Sequence, residues 1–136
     1  MNKFYNQNYT LEKIDEILES IQGCVRRNRY IISRNTNRQE NDRFFTDYNV
    51  TSVKQRSILM EMKATDFCHS LQNTNVGFEH EVLFVFCPQV RLHNFDGKEE
   101  WVDIYLKFNI LEYEKENRVI IISFHKRNKA IDYLFR

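Results

Sequence analysis

The chain has little that bends or staples a backbone: three glycines, one proline and three cysteines in 136 residues. Three scattered glycines cannot build a glycine-rich phosphate loop. Cys24, Cys68 and Cys87 are odd in number, and no pair has C-x-x-C spacing. Neither a disulfide framework nor a zinc ribbon is therefore expected. Each is expected to serve as a small buried hydrophobe, with a reducing cytoplasm as the simplest setting. No apolar run approaches the ~18–20 residues of a membrane span, and MNKFYNQNYT lacks the apolar core of a secretion signal. A large charge of one sign is also missing: 20 basic and 19 acidic residues leave +1, short of the excess of a strongly basic nucleic-acid binder. There is no Gly-x-Ser-x-Gly elbow. No two histidines have i, i+4 spacing on an expected helix, so no metal and no cofactor is expected.

What is present argues for one folded domain. Seven Tyr and eleven Phe exclude a disordered segment, and the length is that of a single domain with its own core. Thr10 is a good N-cap for a helix over Leu11–Gln22, in which Leu11, Ile14, Leu18 and Ile21 fall at helical spacing and Gly23 offers a stop. A short strand is expected over Arg29–Arg34. Asn37 and Glu40 resemble a capping box for a helix holding Phe44, Phe45 and Tyr48. Thr51 or Ser52 begins another helix with Ile58, Leu59 and Met62 inward. Thr65 or Asp66 suggests a re-start, with a short helix through Phe67, Cys68 and Leu71 that carries His69.

From His80 the period becomes two. HEVLFVF is apolar on both faces, as a covered central strand should be, and Pro88 should bend or end it. Asp96-Gly97 signals a turn. Trp101–Leu111 alternates, with even positions apolar, and a last strand runs from Arg118 to about Lys126. The tail, Arg127 to Arg136, fits a short helix or a final strand equally. Helices first and strands later predict an α+β fold: N-terminal helices packed on one face of a mostly antiparallel C-terminal sheet.

The last two strands should pair antiparallel. Matching apolar faces puts Ile120, Ile122 and Phe124 with the even positions of the preceding strand. Asp103, Tyr105 and Lys107 then share the other face with Val119, Ile121, Ser123 and His125. A symmetric turn sets Lys107 near Ser123 and Tyr105 near His125. Lys, Tyr and His on one face suit metal-free RNA cleavage: a base for the 2′-hydroxyl, an acid for the leaving oxygen, fixed positive charge for the phosphorane. The same residues would also serve as the solvated face of an amphipathic strand.

The segments ILMEMKATDFCHS, EVLFVFCP, DIYLKFNI and VIIISFHK, in that order, resemble the MqsR family of type II toxins, over roughly the last hundred residues. The resemblance implies a RelE-like fold, a metal-independent ribonuclease that cuts mRNA and arrests growth, and a cognate protein antitoxin. Lys107 matches the family lysine of the penultimate strand, and His69 falls where the family often has a lysine. Proton transfer is then expected from His125, His69 or Tyr105. Positive charge is expected from Lys107 with Arg127, Lys126 or the cluster Arg26, Arg27, Arg29 and Arg34. Departures from the family pattern elsewhere keep a second reading open, a non-catalytic inhibitor or interaction protein on the same scaffold, such as a phage would encode. A third reading is a small α+β protein whose basic stretches are plain surface.

The near-zero charge is segmented. Residues 1–39 carry +3, residues 40–117 carry −6 and residues 118–136 carry +4. The basic ends could meet on an RNA backbone, where local potential matters more than net charge; an acidic middle could meet a basic partner.

Overall fold

The computed structural model describes residues 5–33 and 39–136. Among them the order is α1 (Leu11–Arg26), β1 (Tyr30–Ile32), α2 (Gln39–Asp47), α3 (Ser52–Glu61), a 3₁₀ turn (Ala64–Asp66), β2 (Phe67–Gln72), β3 (Val82–Phe86), β4 (Gln89–His93), β5 (Glu99–Glu112) and β6 (Asn117–Lys126). This is an α+β fold with the helices N-terminal and a six-stranded mixed sheet. The sheet runs β1-β6-β5-β3-β2, with β4 also on β5. Among the described residues only the β1–β6 pair is parallel. Asn37, Arg34 and Arg38 fall outside the described residues, so the expected capping box is not addressed.

Thr10 caps α1, its hydroxyl accepting from Lys13 N at 3.1 Å. Gly23 does not end the helix. Cys24 and Val25 extend the buried stripe of Ile14, Ile17, Leu18 and Ile21, and their burial outweighs the ~1 kcal/mol that a mid-helix glycine costs. The stop is Asn28, at φ 59°. Arg29 N donates to Cys24 O and Asn28 N to Val25 O, the paired bonds of a Schellman motif with asparagine in glycine's place. α2 ends identically, with Asn49 at φ 48°, Val50 N on Phe45 O and Asn49 N on Thr46 O. Thr51 then caps α3.

The expected helix through Phe67 and Leu71 is a strand. Asp66 closes the 3₁₀ turn by accepting from Lys63 N at 2.9 Å, and the chain then pairs with β3. A short apolar run carries no decisive period of its own; the long-range ladder decides. β3 and β4 hold one register against β5, broken only where Pro88 has no N–H to give. Its carbonyl still accepts from Ile104 N.

The core lies between the helices and one sheet face: Ile14, Ile21, Phe44, Ile58 and Leu59 meet Phe67, Phe86, Leu106, Phe108, Ile121 and Phe124. Val119 and Ile121 belong to this face, contrary to the parity expected from alternation. The register slips between Lys107 and Phe108: Lys107 faces Ser123 and Phe108 faces Ile121, leaving Ile122 as the extra residue of a bulge. Tyr105 opposite His125 and Lys107 opposite Ser123 are as expected; the parity beyond them is reversed. The buried Asn41 of α2 spans the bulge. Its side-chain N–H donates to Ile122 O at 3.2 Å and its oxygen accepts from Phe124 N at 2.8 Å.

An Asn41→Ala change would strand both backbone groups inside the protein. Each unmade bond costs ~1–3 kcal/mol, so the variant should lose about 2–4 kcal/mol of unfolding free energy in urea with an unchanged m-value. A loss below ~0.5 kcal/mol would show that Asn41 does not hold the bulge.

Candidate functional site

The sheet face away from the helices carries the candidate residues. The register runs His69–Val85–Lys107–Ser123 straight across β2, β3, β5 and β6. Tyr105 and His125 form the next rung between β5 and β6. Their rings stack with centroids 5.5 Å apart and planes 19° from parallel. The Lys107 ammonium lies 5.9 Å from the Tyr105 ring centroid, and that of Lys129 lies 5.2 Å from it. The four residues expected to act therefore share one face.

His69 arrives there because of a second bulge. Phe67 faces Phe86, but His69 faces Val85, so Cys68 is extra. Without it, His69 would sit opposite Phe84 and point at the helices. The bulge turns it to the open face, where Tyr5 stacks on it at 3.6 Å. His69 is 1% exposed, and its Nε2 has no partner among the described residues. Burial, followed by the nearby charges of Lys129 and Lys107, pushes its pKa down to about 4. It is therefore a neutral ring at pH 7, enclosed rather than presented.

The face is partly covered. Ile131 and Tyr133 of the tail pack on Cys68, Val85, Cys87 and Tyr105, and Tyr105 is 3% exposed. The tail is neither helix nor strand. It is pinned by Tyr133 Oη on Cys87 O at 2.6 Å, Leu134 N on Phe67 O at 3.1 Å and Arg136 on Asp66 at 2.6 Å. Gln7 ties the N-terminal segment to Cys68 O and Asp132 O. Lys107 and His125 remain partly exposed. His125 Nδ1 lies 3.7 Å from Glu40 Oε2 and 2.9 Å from Lys126 O.

The expected cations divide. Arg127 lies on this face, its Nε 3.2 Å from Asp103 Oδ2. Lys126 turns to the helix side, where it meets Tyr48 Oη at 3.3 Å and Glu100 at 3.8 Å. Arg26 and Arg27 stand exposed at the end of α1, and Arg29 pairs with Glu116. These three sit at the start of β6, whereas His125 sits near its end. The ~3.3 Å rise per residue puts roughly 20 Å between them. Arg34 lies outside the described residues. Lys129 was missed in the sequence; its only signal there was the +4 charge of the last segment.

All three cysteines are free and buried, and burial pushes the Cys87 thiol up to about 11. Among the described residues no cluster of His, Cys, Asp or Glu could hold a metal ion, and no helix is long and apolar enough to cross a membrane. No protein-family model, curated protein or solved structure matches the chain.

His69 also couples stability to pH. Its pKa falls from the ordinary 6.5 to about 4 on folding. The unfolded chain then takes up a proton before the folded one does, so stability present above pH 6.5 is lost as pH falls toward 4. The component is on the order of 3 kcal/mol at most. A His69→Phe variant keeps the Tyr5 stack and should lose less stability than the parent between pH 7 and 4.5, measured by urea unfolding. Equal losses would contradict the neutral, buried assignment.

Proposed function

We propose that the chain is a toxin-type, metal-independent endoribonuclease on a RelE-like scaffold, and that its cutting face is the sheet face away from the helices. The observation that carries this is the convergence of Lys107, Tyr105, His125 and His69 on two adjacent rungs of that face. The resemblance to MqsR toxins supports the same class independently of register. In this reading the RNA 2′-oxygen attacks the adjacent phosphorus and the 5′-oxygen leaves. The products are a 2′,3′-cyclic phosphate and a 5′-hydroxyl. Lys107 neutralises the phosphorane, which is where fixed charge contributes most. His125, partly exposed beside Lys107, exchanges protons with the reacting oxygens, and Tyr105 orients its ring by stacking. Neutral, enclosed His69 shapes the floor instead of shuttling protons. A toxin of this class implies a neutralising protein antitoxin as partner, and mRNA as substrate.

The cover over Tyr105 and His69 favours a second reading, a non-catalytic inhibitor or interaction protein on the same scaffold. Single-stranded RNA incubated with the purified chain separates the two. Cleavage should persist in chelator, yield cyclic-phosphate ends and fall at least ~100-fold in a Lys107→Ala, His125→Ala double variant. Cleavage that survives the double change would sink the site assignment. A folded parent that neither cuts RNA nor arrests growth would leave the interaction reading.

A further inference from the structure

The C-terminal tail does more than cover the face. Its backbone is fixed where a loop would ordinarily drift. Arg127 N donates to Asp103 O at 2.8 Å, and Arg127 Nε contacts the Asp103 carboxylate. The same guanidinium donates through Nη1 to Lys129 O at 2.8 Å. Downstream, Tyr133, Leu134 and Arg136 are anchored to Cys87, Phe67 and Asp66. Lys129 lies between these two anchors.

An exposed lysine usually extends into water, where its charge is best solvated. Lys129 instead lays its ammonium over the Tyr105 ring at 5.2 Å, while Lys107 stands 5.9 Å from the same centroid. The two cations are therefore no more than about 11 Å apart, close to the ~8–10 Å screening length of physiological salt. Their fields overlap on one spot. His69 registers this: after burial itself, Lys129 and then Lys107 are the strongest influences on its proton. Among the described residues no carboxylate lies within ion-pair distance of the Lys129 ammonium. Like charges held together beside a partly open face are stabilised by an anion that bridges them, and a phosphodiester is such an anion.

We propose that Lys129 is a phosphate-binding residue of the RNA site, presented by the anchored tail so that its ammonium and that of Lys107 grip the single-stranded RNA backbone beside Tyr105. This rests on the ribonuclease reading for its ligand, and adds that the tail is part of the site rather than a lid over it.

The test is binding, kept apart from cleavage. A 2′-O-methyl single-stranded RNA cannot be cut and can be titrated against the full chain by fluorescence anisotropy over a salt series. Lys129→Ala should weaken binding about 5–10-fold near 0.1 M salt and flatten the log K against log salt slope by ~0.7, one phosphate contact. Lys129→Arg should keep both, since the charge is kept. Matching urea midpoints for all three chains would show that the fold is intact. Unchanged affinity and slope in Lys129→Ala would overturn the proposal. Tighter binding in that variant would overturn it too, making the tail a cover, and so would a parent that does not bind the oligonucleotide. Lys129-dependent binding without cleavage of ordinary RNA would uphold Lys129 while sinking the ribonuclease reading. Cleavage with Lys129-independent binding would do the reverse.

Discussion

The fold and the candidate site both depend on the register between β5 and β6. That ladder sets Tyr105 opposite His125 and Lys107 opposite Ser123, then slips one residue at Ile122. Because side chains alternate with a period of two, one extra residue reverses every face beyond it. Here the reversal sends Val119 and Ile121 into the core with Phe108, while Ser123 and His125 stay on the far face. Without the bulge Ile120 and Ile122 would face the helices in place of Val119 and Ile121, with Ser123 and His125 still on the far face. Asn41 makes the irregularity tolerable by occupying the two backbone groups that flank it.

A second bulge does the same at the other side of the sheet, where Cys68 lets Phe67 enter the core and His69 face outward. Bulges re-aim side chains, and the one at Cys68 brings His69 into line with Val85, Lys107 and Ser123 from strands far apart in sequence. The proposed chemistry rests on that line together with the neighbouring Tyr105–His125 rung. Cations gather on one face, a histidine stays partly open, and another is held neutral by burial. The order of burial matters, since a neutral enclosed ring cannot do the work of a solvated one.

Much of this was legible in the chain. Thr10 and Thr51 announce their helices, HEVLFVF announces a covered strand, and a symmetric turn after β5 gave the correct partners for Tyr105 and Lys107. Matching the apolar faces, however, put Ile120 and Ile122 where Val119 and Ile121 lie. The failures have a common cause. Gly23 reads as a stop locally, yet the burial of Cys24 and Val25 carries the helix past it. ATDFCHSL reads as helix locally, yet pairing with β3 makes it a strand. Neither bulge leaves a signal in periodicity, because an inserted residue resembles its neighbours. Charge counts carry no distances, so the sequence could not show that Arg26, Arg27 and Arg29 sit at the opposite end of β6 from His125. Lys129 was hidden because the tail has no period at all; its position is set by side-chain anchors such as Arg136 on Asp66.

The central claim is that RNA is held on the helix-free face, across the Lys107 and Tyr105–His125 rungs. The most direct measurement is a structure of the full chain with a short single-stranded RNA carrying a 2′-deoxy nucleotide at the scissile position. The account predicts a phosphate within hydrogen-bonding distance of the Lys107 ammonium, with the His125 ring facing the adjacent ribose. An oligonucleotide seated on the helix side or along the Arg26–Arg29 end, with Lys107 and His125 untouched, would contradict it.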